Sequence, residues 1–242
     1  MTESATSPQP RTAGLLEDCL EIFYAPARVF ERRRGRGFLA PLAVLVALML
    51  VLWFAAKDLL QPALDAQIAQ GMAQAKAQNP ELTDEQLAGM RGMAGTMALV
   101  GMVVGTVVSP LLLGFTLWLV GKGVGAKQQL GDAMNVAVFA WFPRLLGVVV
   151  MAALALLLPE SAVTGMLSLT VGLGRFFDPA TTSPALLALL GRVELFTLWS
   201  TVLLAIGLRV TGRATTKQAV IAAVVLWILG ALPTVLPALA SG

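Results

Sequence analysis

The chain has 242 residues, of which 57% are apolar and only 13% charged, with 17 Lys+Arg, 14 Asp+Glu and 23 glycines. A soluble domain carries about 25% charged residues, so there is too little polar surface here to coat one, and the chain belongs in a bilayer. It contains no histidine and a lone Cys19, which excludes imidazole metal sites, Ser-His and Cys-His nucleophile pairs, internal disulfides and Cys clusters.

Residues 1–13 (MTESATSPQPRTA) read as a disordered tail of Ser, Thr and Pro. From there to residue 36 the pattern is a cytoplasmic interfacial basic helix. Leu15, Leu16, Cys19, Leu20 and Phe23 recur at helical spacing against Glu17, Asp18 and Glu21, and Pro26 restarts the helix. Arg28, Arg32, Arg33, Arg34 and Arg36 are expected at anionic lipid headgroups, each contributing about 1 kcal/mol. Lipid or partner recruitment is one reading of this arm, and a simple topology anchor the other.

The rest, 37–240, divides into apolar runs, each compared with the roughly 20 residues a crossing helix needs. Spans are expected at about 38–56, 94–120, 143–158, 185–208 and 219–236. Between the first two, Leu60, Leu64, Ile68 and Met72 continue the helix past Pro62, Asn79-Pro80 turns the chain, and Thr83 with Gln86 forms a capping box. This predicts an extramembrane helical hairpin. In the third apolar run Trp141-Phe142-Pro143-Arg144 lies near the centre. Proline followed by arginine is costly at mid-membrane, so 131–142 is placed at the interface, with Arg144 at the mouth of a short span; one continuous bent span is the rival. Residues 161–174 are too few to cross and read as interfacial or re-entrant, and Ser183-Pro184 starts the fourth span. The fold class is therefore all-α, a polytopic membrane protein of five transmembrane helices. With the N-terminus inside, twelve basic residues fall on the cytoplasmic side and four (Lys57, Lys76, Arg91, Arg175) on the other, the asymmetry of an N-in, C-out protein.

Few residues carry chemistry. Arg192 and Glu194 are the candidate polar intramembrane site, near the outer edge of the fourth span, with Arg192 snorkelling and Glu194 bonded to a neighbouring span, or both lining a polar cavity. Asp132 and Asn135 share a helical face at the cytoplasmic mouth, where they line an entrance or cap the helix and face water. Gly101-x-x-x-Gly105 allows close helix packing. GKGVG at 121–125 lacks the flanks of a phosphate loop and reads as a turn. No catalytic residue, cofactor site or metal site is expected, nor any nucleic-acid partner.

Four stretches together resemble a family. They are Phe23-Tyr24-Ala25-Pro26 with Phe30, Ser109-Pro110-Leu111-Leu112-Leu113-Gly114, Ala140-Trp141-Phe142-Pro143-Arg144-Leu145-Leu146-Gly147, and Glu194-Leu195-Phe196-Thr197-Leu198-Trp199 running into Leu203-Leu204-Ala205-Ile206-Gly207-Leu208. In order and spacing, over about residues 15–232, they resemble the bacterial branch of the Yip1-domain membrane proteins. The resemblance implies five helices and an N-in topology. Eukaryotic relatives are associated with Rab GTPases and vesicle traffic, but their tyrosine- and glycine-rich motifs are absent here and that activity is not carried over. The bacterial branch implies no defined reaction. The expectation is a non-enzymatic, multi-pass bacterial inner-membrane protein that organises the membrane or scaffolds a membrane-protein partner or its own copies. The alternative is a small transporter or channel for a solute or lipid with a pocket near Glu194. An intramembrane hydrolase is the poorest reading, for want of histidine.

Overall fold

In a bilayer every backbone N–H and C=O needs a partner inside the chain, which favours helices, and the computed structural model is helical throughout. It describes residues 14–179 and 181–240, so the tail expected at 1–13 lies outside the described residues. Helix α1 (Leu15–Glu21) and α2 (Pro26–Arg33) form an N-terminal arm. Next come α3 (Leu39–Gln78), α4 (Asp84–Gly123), α5 (Leu130–Ala140) and α6 (Pro143–Leu157). Three short 3-10 turns (Glu160–Ala162, Met166–Leu169, Leu173–Phe176) precede α7 (Pro184–Arg192), α8 (Leu195–Gly212), α9 (Thr216–Leu229) and α10 (Leu232–Ala240). Among the described residues five helical segments are long and apolar enough to cross a membrane: α3, α4, α5 with α6, α8, and α9 with α10. This is the expected all-α, five-span architecture.

Helices α3 and α4 have 40 residues each, roughly 60 Å at helical rise and twice the hydrocarbon thickness. Both run through an internal proline, Pro62 and Pro110, and their excess length forms the projecting hairpin. At its tip Gln86 N donates to Thr83 Oγ1 at 3.3 Å and Thr83 N donates to Gln86 Oε1 at 2.9 Å, the capping box legible in the sequence.

The third and fourth spans differ from expectation. Helix α5 is packed inside the protein on every side: Ala133 and Val136 to Ala140 are all at most 1% exposed. Trp141 and Phe142 keep right-handed helical dihedrals, and their amides bond three residues back, to Val138 and Phe139. Proline is tolerated at the first position of α6, where its missing N–H leaves no gap. By length and composition the third crossing segment is the continuous bent Leu130–Leu157, the alternative to a short span at 143–158, and Arg144 lies 14 residues into it. The fourth run is interrupted at Val193-Glu194, and only α8 is a crossing helix.

Small residues let the span helices approach closely. A Cβ on Gly114 would meet Met134 Cα at 2.8 Å, fixing α4 against α5, and one on Gly207 would collide with the Val136 side chain, fixing α8 against α5. Gly101 and Gly105, by contrast, have nothing within 4 Å of an added Cβ, so the Gly-x-x-x-Gly pair makes no such contact inside the chain.

The arm is held by ion pairs and hydrogen bonds. Asp18, only 1% exposed, receives Arg32 Nη2 and Arg33 Nε, both at 2.5 Å. Glu21 receives Arg32 and, at 3.1 Å, Arg28. Of the three acidic residues expected on outward faces, Asp18 and Glu21 thus point inward while Glu17 stays exposed. Gly35 N donates to Asp132 Oδ1 at 2.7 Å and Asn135 Nδ2 donates to Arg36 O at 3.0 Å. Asp132 and Asn135 are therefore buried ties between arm and α5, neither facing water nor lining an entrance. The arm's outward side carries Leu16, Leu20 and Tyr24, all about two-thirds exposed or more.

Burial pushes the Cys19 thiol up to about 11, leaving about one thiolate per thousand at pH 8, so iodoacetamide leaves Cys19 unmodified in the native protein. Asp18→Ala leaves Arg33 buried without its carboxylate, which costs about 2 kcal/mol; thermal unfolding in detergent reports the loss, and Cys19 becomes alkylated at a rate that native-like protection would contradict. Gly207→Ala costs about 1–3 kcal/mol through overpacking against stiff, buried Val136, whereas Gly101→Ala is neutral or stabilising, as paired unfolding curves will show.

Candidate functional site

The site forms where two helical segments bend or break. At the α7–α8 break Glu194 is the N-cap of α8: Phe196 N donates to Oε1 at 3.0 Å and Thr197 N to Oε2 at 2.8 Å. A carboxylate there satisfies two orphan amides and meets the positive end of the helix dipole. Gly172 and Glu194 form an isolated β-bridge, with Leu173 N donating to Val193 O at 3.1 Å and Leu195 N to Val171 O at 3.0 Å. The irregular segment expected at 161–174 thus packs back onto the span helices, with Leu169 fully buried beside Ala56, Leu60 and Ala63.

Arg192 turns the other way. Its Nη2 donates to Trp227 O at 3.4 Å and Trp227 Nε1 donates to Arg192 O at 3.3 Å, tying α7 to α9. Because the helix breaks between them, the angular separation expected of Arg192 and Glu194 on one continuous helix does not apply. Glu194 is bonded to its own helix rather than to a neighbouring span.

Between the two lies Arg144, brought there by the bend of the third span. It is 14 residues after Leu130 and 13 before Leu157, roughly 20 Å from either end at helical rise. Its guanidinium carbon sits 4.4 Å from the Trp141 ring centroid, a cation–π contact. Its Nε is buried without a hydrogen-bond partner. Among the described residues no carboxylate reaches ion-pair distance of it. Arg144 lines two cavities, of about 450 and about 600 Å³, which share Ser109, Trp141, Arg144 and Thr197. Glu194 lies on the first and Arg192 on the second. The open face at Gly101 and Gly105 belongs to the first cavity.

The structure thus brings Arg192 and Glu194 to opposite sides of Arg144, a residue that hydropathy alone assigned to the membrane edge. Its signal was present in the sequence, as a lone cation inside an otherwise apolar run. The five arm arginines separate: Arg28, Arg32 and Arg33 are engaged with Asp18 and Glu21. Arg34 Nη2 donates to Thr211 O at 2.8 Å, and Arg34 and Arg36 are exposed.

These features extend over one family domain: the family model of the Yip1 domain matches residues 20–236. The chain belongs to the Yip1 family. No curated protein and no solved structure matches it. The Yip1 domain therefore takes in α2, all five spans and both cavities, and the chain is a multi-pass membrane protein of that family.

The capping role of Glu194 is directly testable. Glu194→Ala removes the acceptor of two amides and is expected to lower stability by about 1 kcal/mol, with Glu194→Gln, which keeps one acceptor oxygen, losing less. Unfolding midpoints in detergent give the order wild type, Gln, Ala; equal midpoints would remove the cap from the account.

Proposed function

We propose that this Yip1 protein binds a solute or lipid in the paired cavities around Arg144, holding or passing it without chemical change. The observation that carries the reading is Arg144, whose Nε has no hydrogen-bond partner and which lines both cavities beside the irregular segment that meets the start of α8. Non-helical backbone among membrane spans is tolerated where it is buried or lines a polar cavity. Binding rather than catalysis fits the groups at hand: guanidinium does not serve as a base near neutral pH, and the Glu194 carboxylate is engaged by two amides.

Scaffolding of a partner, or of a second copy, is the second reading. It is supported by the projecting hairpin, on which Met90, Met93 and Met97 are exposed at helical spacing. The setting proposed for either reading is a bacterial inner membrane, N-terminus in the cytoplasm. Eleven basic residues then lie inside and four outside once Arg144 is counted in its span. Arg34 and Arg36 would meet anionic headgroups on the cytoplasmic face.

A hydrated cavity is the point of divergence. In a Cys19→Ser background, Ser109→Cys should react with a small charged methanethiosulfonate reagent in the folded, membrane-embedded protein, because the reacting species is a thiolate and needs water. A control cysteine at Val149, 48% exposed on the outer side of α6, should stay unreactive. Complete protection at 109 would discard the cavity and leave the scaffold reading.

A further inference from the structure

We infer that the group recognised in these cavities is a phosphate, seated on Arg144; the inference rests on reading the cavities as a ligand site. A guanidinium held about 20 Å from either end of a crossing helix is expensive without a counter-charge, since even relaxed burial of an ion costs several kcal/mol. Among the described residues no carboxylate pairs with it directly. Glu194 is the carboxylate within electrostatic range of Arg144, Arg192 within the same range adds a second positive charge, and Glu194 already accepts from Phe196 N and Thr197 N. Two cations and one engaged anion leave the cavities net positive.

The uncharged donors select the kind of anion. Arg144 presents a planar fork suited to two oxygens of a carboxylate or phosphate, held face-on by Trp141. The residues common to both cavities also include Ser109 and Thr197. Unlike Thr106, Ser200 and Thr201, whose hydroxyls donate to carbonyls of their own helices, those of Ser109 and Thr197 donate to no described residue. A carboxylate presents both its oxygens to the fork in one plane, whereas a tetrahedral phosphate has further oxygens pointing out of that plane toward the two hydroxyls. On either side the walls are mostly apolar, with Met49, Val148 and Leu169 on one and Leu112, Leu204 and Leu226 on the other, so the phosphate can belong to a lipid headgroup or to a free soluble anion.

The test uses the full-length protein, delipidated in neutral maltoside detergent, with the unfolding midpoint read against added dioleoyl phosphatidylglycerol, dioleoylglycerol, oleate or inorganic phosphate. Phosphatidylglycerol or phosphate should raise the midpoint with increasing concentration by mass action, while dioleoylglycerol and oleate should not. Response to phosphatidylglycerol alone assigns the phosphate to a lipid, and response to inorganic phosphate alone to a soluble anion. Arg144→Gln should abolish the response and Arg144→Lys retain part of it. Ser109→Ala and Thr197→Val should each shift the half-maximal concentration upward about three- to tenfold. If Arg144→Gln does not fold, the two hydroxyl variants decide, and unchanged half-maximal concentrations overturn the inference. So does an oleate response equal to that of phosphatidylglycerol, or no response to either phosphate. A reactive Ser109→Cys without any phosphate response would sink this inference while leaving the cavity reading; a protected one would sink both.

Discussion

The burial of α5 is the constraint on which the other placements depend. A helix with Ala133, Val136, Ala137, Val138, Phe139 and Ala140 all at most 1% exposed needs neighbours on every side. Those neighbours are admitted by missing side chains, at Gly114 on α4 and Gly207 on α8. Once α5 is central, its first turn presents Asp132 and Asn135 to the loop after α2, and the arm is tied down. Its last turn bends into α6 through Trp141 and Phe142, with Phe139 and Phe142 stacked 5.5 Å apart, and that bend carries Arg144 into the interior.

The two groups of buried arginines follow one rule with opposite outcomes. Arg33 and Arg32 meet Asp18 and Glu21 across a short turn, so their charges are neutralised within the arm. Their role is mechanical, joining α1 to α2 above a core of Ile22, Val29 and Phe30. Arg144 is half-buried, with its Nε fully enclosed, beside an aromatic ring and two unused hydroxyls and near a carboxylate engaged elsewhere. A satisfied buried charge is part of the scaffold, and an unsatisfied one in a cavity is the place to look for a ligand.

Broken helices serve the same end. At Val193-Glu194 the chain gives up helical bonding within a membrane domain, and it recovers the lost partners locally. Glu194 caps α8, and Val193 O and Leu195 N pair with the extended strip at 171–173. The break spreads α7 away from the axis of α8 and turns Arg192 to Trp227 on α9, which leaves room for the two cavities between α4, the third span and α8.

Much of this fold was legible in residue order, because the determining physics is local. Apolar run length against hydrocarbon thickness identified five spans, and Thr83 with Gln86 marked the start of α4. The excess length of α3 and α4 announced the hairpin, and the quoted motifs announced the family. None of these depends on what lies across the bundle. What tertiary structure alone decided is which polar side chains found partners. Glu17, Asp18 and Glu21 look alike in the sequence, yet only Asp18 and Glu21 are buried against arginines. Arg144 resembles a mouth residue until α5 is seen to be core, and Glu194 a mid-helix charge until the helix stops in front of it. Hydropathy registers that a charge sits in an apolar run, whereas its meaning depends on the distance to another element's donor or acceptor, a quantity that exists only once the helices have packed.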